Sequence, residues 1–292
     1  MYLEKFILPN EKDEEDLRLK NLVDNYYPIT LFTDKQLTEV DFEKITIFYG
    51  GNGSGKSTLL NLITEKLKLN RIAPYNTSEL FDKFANRCKY QLGYDDEGFM
   101  HRIPNGSRII TSDDIFDYML TVRTNNLDIA ENKEDAKQEW LNLKFGTTVK
   151  LSGLDDYEAL RLQVLARNKN ISRRQFIKRT VGNEVRLNSN GETALKYFET
   201  KLKNDTLYCL DEPENSMSPR MQLALVKMLE EMARYCGCQF VIATHSPFLL
   251  AINGAKIYDL DETPVKIKNW WELDNTKIYF EFFEKHRHLF LQ

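Results

Sequence analysis

Gly50-Gly51-Asn52-Gly53-Ser54-Gly55-Lys56-Ser57 fills the pattern G-x-x-x-x-G-K-[ST], and no other stretch restricts the fold as strongly. The pattern works as a tight loop that leaves a strand and enters a helix. Its flanks suit both. Lys44-Ile45-Thr46-Ile47-Phe48-Tyr49 is β-branched and aromatic enough for a strand, and Leu59 through Leu69 continues as an apolar, helix-length segment. Glycines let successive backbone N–H groups turn inward toward phosphate oxygens, and a helix beginning near Gly55 adds the positive end of its dipole. Gly51, Asn52, Gly53, Ser54, Gly55, Lys56, Ser57 and Thr58 are therefore the expected nucleotide-binding residues. Lys56 would lie along the β and γ phosphates, and the Ser57 hydroxyl would ligate Mg²⁺.

A second element complements the loop. Leu207-Tyr208-Cys209-Leu210-Asp211-Glu212 is an apolar strand that ends in two acids. A carboxylate delivered at the C-terminal edge of a buried strand can hold Mg²⁺ beside the phosphates, which suits Asp211. Glu212 would polarise the attacking water, because a hydrolase needs a positioned base beyond the γ-phosphate. His245 ends the next apolar strand, about 34 residues after Asp211. There it can donate to a γ-phosphate oxygen or hold the water and base in place. The expected catalytic residues are thus Glu212, His245 and Lys56, with Ser57 and Asp211 at the metal. His101, His286 and His288 read as surface imidazoles.

At 292 residues the chain suffices for one large α/β domain or two small ones. With 42 % hydrophobic and 29 % charged residues it has a soluble globular composition. No run of roughly eighteen apolar residues occurs, so membrane insertion is not expected. Met1-Tyr2-Leu3-Glu4-Lys5 lacks the basic-then-apolar layout of a signal peptide, making the cytoplasm the expected location. Cys88, Cys209, Cys236 and Cys238 offer no matched CxxC pairs, which argues against a zinc site or a disulfide framework. The net charge of −4 means that any nucleic-acid contact must come from a local patch.

Strands are expected at Tyr2–Leu8 and Ile29–Phe32, with Glu11–Asp16 between them as a solvated, charged turn. Residues of about 71 to 186 carry mostly helical patterns: Thr77–Lys89, Asp113–Val122, Lys133–Leu143 and Leu154–Arg167, interrupted by a strand at Ser107–Thr111. From Thr206 the α/β texture returns. Strands are expected at Thr206–Leu210, Gln239–Ala243, Ala255–Leu260 and Val265–Ile267, with helices at Pro219–Tyr235 and from about Asp274. The simplest architecture is a single domain over 1–292, an α/β nucleotide-binding sheet with an N-terminal antiparallel β region and a helical insert over about 71–186.

Gly50–Thr58, Leu210-Asp211-Glu212-Pro213-Glu214 and Ala243-Thr244-His245-Ser246-Pro247 together resemble the ABC-type ATPases, in particular the soluble branch with SMC-like repair ATPases and stand-alone predicted bacterial ATPases. The resemblance implies ATP and Mg²⁺ as ligands and ATP hydrolysis as the activity. It also implies a signature that completes the ATP site of a partner subunit. Ser189-Asn190-Gly191-Glu192 stands about 22 residues upstream of Asp211, the family's spacing, and precedes a helix expected over Thr193–Leu202. Leu151-Ser152-Gly153-Leu154-Asp155 stands about 59 residues upstream and reads better as a helix N-cap at Ser152. Ser189, Gly191 and Glu192 are therefore the residues expected to face the γ-phosphate held by a second copy of the chain, in a head-to-tail dimer around two ATPs.

Two departures from the family pattern stand out. Glu214 to Ser218 occupy the D-loop position without the transporter sequence, and no glutamine follows the strand at Ser107–Thr111. Ser112, Asp113 and Gln91 all remain open for the Q-loop, as do Tyr26, Tyr27 and Phe32 for the adenine-stacking aromatic. Only about 130 residues separate Lys56 from Ser189, without sustained heptads, so long coiled-coil arms are excluded. The resemblance points to a compact ATPase that switches a separate effector protein, in genome maintenance or antiphage defence. A transporter subunit and a structural switch with negligible turnover are the alternatives. Arg167, Lys169, Arg173, Arg174, Lys178 and Arg179 form the basic cluster. A solvated helix face is the leading reading of that cluster, and a nucleic-acid contact the second.

Overall fold

A computed structural model describes residues 1–21, 23–95, 97–146, 156–168, 172–173, 175 and 190–291. Among these the chain forms two sheets. The larger has six strands in the order β5 (Arg108–Thr111), β6 (Leu207–Asp211), β7 (Gln239–Ala243), β3 (Ile45–Tyr49), β8 (Lys256–Asp259) and β9 (Lys266–Lys268). All pairings are parallel except β8 with β9. Every residue of β3 and β7 is buried. Continuous apolar runs of this kind belong to central parallel strands covered on both faces.

This order positions the site. The strand that feeds the glycine loop, β3, lies beside β7, and β7 lies beside β6, so three C-terminal strand ends open on one edge. Helix α2 (Lys56–Leu67) leaves the loop and buries Leu59, Leu60, Leu62 and Ile63 completely. Each such burial contributes about 1.5–3 kcal/mol, which anchors the loop's helical end.

The smaller sheet is antiparallel, in the order β2 (Glu39–Asp41), β1 (Leu3–Ile7), β4 (Lys89–Leu92). Its Leu3, Phe6 and Val40 join one core with Phe48 and α2. Gln239 ties the two sheets. Its Oε1 accepts the Tyr2 and Leu3 amides at 2.9 Å each, and its Nε2 donates to the Leu3 carbonyl at 2.7 Å and the Glu43 carbonyl at 3.2 Å. A buried amide is tolerated when fully bonded in this way.

Several local expectations need correction. Glu11–Asp16 is not a turn but part of helix α1 (Glu11–Lys20), whose Asn10 cap accepts the Asp13 amide at 3.0 Å. Acids in the first turn and Arg18 and Lys20 in the last complement the helix dipole. Ile29–Phe32 is not a strand but a run of turns. Buried Glu14 draws it in, accepting the Thr30 amide at 3.0 Å and the Thr33 hydroxyl at 2.8 Å, with Thr30 at φ 67°. The helix expected over Thr77–Lys89 is the shorter α3 (Phe81–Arg87), because Lys89 starts β4. The segments 113–122 and 133–143 belong to one helix, α4 (Ser112–Phe145).

By internal contacts the chain divides into two compact units, Met1–Phe116 with Asn190–Gln292, and Asp117–Ser189. In the second, Trp140 and Ala166 are buried against Leu143, Leu162 and Leu165. Among the described residues no helix is long and apolar enough to cross a membrane.

Candidate functional site

The loop is held in a conformation that only glycine adopts easily. Gly50, Gly53 and Gly55 have φ values of 156°, 80° and 99°. A Cβ on Gly50 would lie 2.5 Å from Ser54 Oγ, whereas one on Gly53 would meet nothing within 4 Å. Helix α2 begins without a side-chain cap, so its first amide groups remain for an anion. The Lys56 ammonium folds back over the loop, donating to the Gly50 carbonyl at 2.7 Å and the Gly51 carbonyl at 2.9 Å. Asp261, just past β8, accepts the Gly51 amide with both oxygens, at 3.0 and 2.8 Å. Gly51, Asn52 and Gly53 are exposed, Ser54 is buried with an unpartnered hydroxyl, and Thr58 accepts from the Tyr27 hydroxyl at 2.7 Å.

Ser57 and Asp211 meet across the sheet edge, with Ser57 Oγ donating to Asp211 Oδ1 at 2.9 Å. Burial pushes the Asp211 carboxyl up to about 6, against the opposing pull of the Ser57 hydrogen bond. Glu212 follows at φ 47°, and its Oε2 accepts from Asn215 Nδ2 at 3.2 Å. His245 leaves the end of β7 with Nδ1 at 3.8 Å from Glu212 Oε1 and 3.8 Å from Glu214 Oε1. The structure thus gathers Lys56, Ser57, Asp211, Glu212 and His245 on one edge of one sheet.

Next to this edge opens a cavity of about 510 Å³, lined by Ser57, Asp211, Tyr27, Arg71, Thr111 and Asp113, among others. The cavity joins one hydroxyl and one carboxylate to open space. Magnesium uses such a set, taking one or two protein oxygens and completing its shell with water and substrate phosphates. No cluster of three or more His, Cys, Asp or Glu side chains suited to a metal occurs among the described residues.

Asp114 pins the β5–α4 junction, accepting the Ala73 amide at 3.1 Å and the Thr111 amide at 2.8 Å. The junction carries Ser112 and Asp113 into the cavity wall, whereas Gln91 lies exposed in β4, opposite Lys5 in the other sheet. Of the three aromatics, Tyr27 lines the cavity and Phe32 is buried beside Gly55. Tyr26 lies under Arg18, 5.3 Å from ring centre to guanidinium. Sequence reasoning missed Arg71, whose guanidinium lies 4.1 Å over the Tyr75 ring and bonds Asn61 Oδ1. It also missed Asp261. Neither residue sits in a recognisable pattern, since both reach the site through loops.

Gly191 and Glu192 lie in the first turn of the helix Asn190–Lys201, which starts before the expected Thr193. Gly191 is buried because the chain after β6 crosses it closely. A Cβ there would meet Met221 Cγ at 3.2 Å and the Ser216 carbonyl at 3.5 Å. Ser189 and the segment Leu151–Asp155 lie outside the described residues, as do Lys169, Arg174, Lys178 and Arg179 of the basic cluster. Arg167 donates to the Leu143 and Gly146 carbonyls at 3.1 and 2.7 Å. These bonds tie its guanidinium to the backbone.

Comparison with known proteins adds the family. The model for "ABC transporter" matches residues 37–215, and one for "AAA domain, putative AbiEii toxin, Type IV TA system" matches residues 192–251. The chain is 26 % identical over 213 residues to an uncharacterized ABC transporter ATP-binding protein/permease of Saccharomyces cerevisiae. That alignment covers 70 % of this chain but only 14 % of the relative. It is also 26 % identical over 234 residues to the zinc import ATP-binding protein ZnuC of Buchnera aphidicola, covering 79 % of this chain and 74 % of the relative. Among solved structures, an SMC head domain from Thermotoga maritima is similar at 13 % identity and a TM-score of 0.37, covering 92 % of this chain and 99 % of that one.

Proposed function

Because the chain belongs to the ABC transporter family of ATP-binding proteins, which bind Mg-ATP and whose expected activity is ATP hydrolysis, we propose that it is an ATP-driven switch that dimerises head-to-tail around two nucleotides and controls a partner protein. One observation carries the reading: Lys56, the bonded pair Ser57 and Asp211, and the Glu212–His245 pair share one sheet edge.

In this reading the amides of Gly51 to Ser57 and the start of α2 bind the phosphate chain. Lys56 exchanges its two loop carbonyls for the β and γ phosphates. Ser57 and Asp211 hold Mg²⁺, which when bound neutralises charge on the phosphate oxygens. Glu212 orients the attacking water and accepts its proton, and His245 steadies the Glu212 carboxylate and donates toward the γ-phosphate. Gly191 and Glu192 in the first turn of the helix Asn190–Lys201, with Ser189 just before it in sequence, would receive the γ-phosphate held by the second copy. ATP joins the copies, and hydrolysis releases them.

Control of a separate effector, in genome maintenance or antiphage defence, is the biological setting proposed. The match over residues 192–251 to a family described by a toxin system supports a defence role. A nucleic-acid contact through residues 167–179 is the secondary partner. The competing reading, a transporter's ATP-binding subunit, is favoured by the zinc import relative. Phosphate release and light scattering with and without Mg-ATP test the proposal. Turnover with nucleotide-dependent dimers is expected, and a chain that binds no ATP overturns it.

A further inference from the structure

Glu214 is 5 % exposed, and its two carboxylate oxygens have different surroundings. Oε1 accepts the Thr244 hydroxyl at 2.5 Å and the His245 amide at 3.3 Å, while Oε2 is buried without a partner. An unpaired buried oxygen of a carboxylate is costly, and a packing role would be filled better by an apolar side chain. The loop that carries it is also strained. Glu212 and Ser216 both hold positive φ, at 47° and 65°, where residues other than glycine are uncommon.

The same carboxylate lies beside the imidazole of His245. Its Nδ1 sits 3.8 Å from Glu214 Oε1 and 3.8 Å from Glu212 Oε1. A further pair of bonds ties the same loop to the exit of β7. Gln222 donates to the Met217 carbonyl at 3.0 Å and accepts the Ser246 hydroxyl at 2.6 Å.

We propose that Glu214 is a positioning residue for His245: through Thr244 and the His245 amide it fixes the backbone that carries the imidazole. The inference rests on the reading of His245 as a catalytic residue. It assigns Glu214 no contact with substrate.

The test uses the full chain and the variants Glu214→Ala, Glu214→Gln, Thr244→Val and His245→Ala. Readouts are kcat and KM for ATP hydrolysis, and the His245 imidazole signals by long-range ¹H–¹⁵N NMR, assigned by their loss in His245→Ala. In Glu214→Ala the His245 signals should shift and kcat should fall about tenfold or more, the order of effect seen when an acid–base group is misplaced, with KM nearly unchanged. Glu214→Gln keeps an acceptor oxygen for Thr244 and the His245 amide and should restore most of kcat. Where Glu214→Ala fails to fold, Thr244→Val removes the same hydrogen bond from the other side and should shift both readouts in the same direction. Unchanged His245 signals with unchanged kcat, or a KM rise with unchanged His245 signals, overturn the proposal. Wild-type turnover in His245→Ala would instead sink the catalytic reading of His245, and the His245 signals in Glu214→Ala distinguish that failure from failure of the Glu214 assignment.

Discussion

Ser57 Oγ donates to Asp211 Oδ1 across 2.9 Å, joining the first turn of α2 to the last residue of β6. Burial raises the Asp211 carboxyl to about 6, above its ordinary value of 3.8. The sign of the linkage follows. Below about pH 4 the folded and unfolded chains are both protonated there and the group is neutral to stability. As pH rises from about 4 to 6 the unfolded chain ionises first, so stability falls, and above about 6 the full penalty remains. A gap near two units corresponds to about 2–3 kcal/mol. Asp211→Asn should therefore raise the melting temperature of the nucleotide-free chain by several degrees at pH 7, and hardly at all at pH 4. Thermal melts at both values check this, and equal shifts at both would contradict it.

Lys56 is buried and its ammonium donates to two loop carbonyls, at 2.7 and 2.9 Å. A charge held this way is poised to move to phosphate oxygens with little desolvation left to overcome. Lys56→Ala should abolish ATP binding in a nucleotide titration while leaving the fold intact by circular dichroism. Undiminished binding would remove the basis for assigning the loop to ATP.

Gly50 tests the loop's backbone rather than its charge. At φ 156° a Cβ would sit 2.5 Å from Ser54 Oγ and 3.1 Å from Asp261 Oδ1. Gly50→Ala should displace Ser54 and loosen the Asp261–Gly51 clasp, weakening ATP binding at least about tenfold, which corresponds to roughly 1.4 kcal/mol. Affinity matching wild type by calorimetry would show that the loop adapts.

Strands β3, β6 and β7 were legible because each is a short apolar run with both faces covered, and β7 and Pro219–Tyr235 match their expected limits. Helix α1 and the turns after Asn25 were not, for a tertiary reason. Glu14 is an acid in a charged run, and only burial against Thr30 and Thr33 turns that run into a packed helix. In the candidate site, residues on strand ends and α2 were findable, because strand order places them. Arg71 and Asp261 reach it through loops whose paths depend on contacts far away in sequence. The acids after β6 were visible, but the burial of Glu214 against Thr244 depends on β6 and β7 being neighbours.

The basic cluster separates the two readings of its role by salt. If Arg173 and Arg174 contact phosphates, affinity for a short duplex should fall steeply as salt rises, and Arg173→Ala/Arg174→Ala should flatten that slope by about two units. Filter binding across salt concentrations measures it. Weak, identical curves for both proteins would leave a solvated surface.

Glu212 gives the sharpest test of turnover. It holds a strained φ of 47°, and its carboxylate is bracketed by Asn215 Nδ2 at 3.2 Å and His245 Nδ1 at 3.8 Å. Glutamine has the same length and keeps an acceptor for Asn215, so Glu212→Gln should leave the loop and ATP binding in place. What it removes is the basicity needed to take a proton from water. Loss of a general base lowers turnover by roughly 10²- to 10⁴-fold. If hydrolysis is what parts the two copies, the variant should also accumulate an ATP-bound dimer by light scattering at saturating Mg-ATP. A variant that hydrolyses at the wild-type rate would remove Glu212 from the chemistry. One that is inactive yet strictly monomeric would leave ATP hydrolysis standing and refute the shared site.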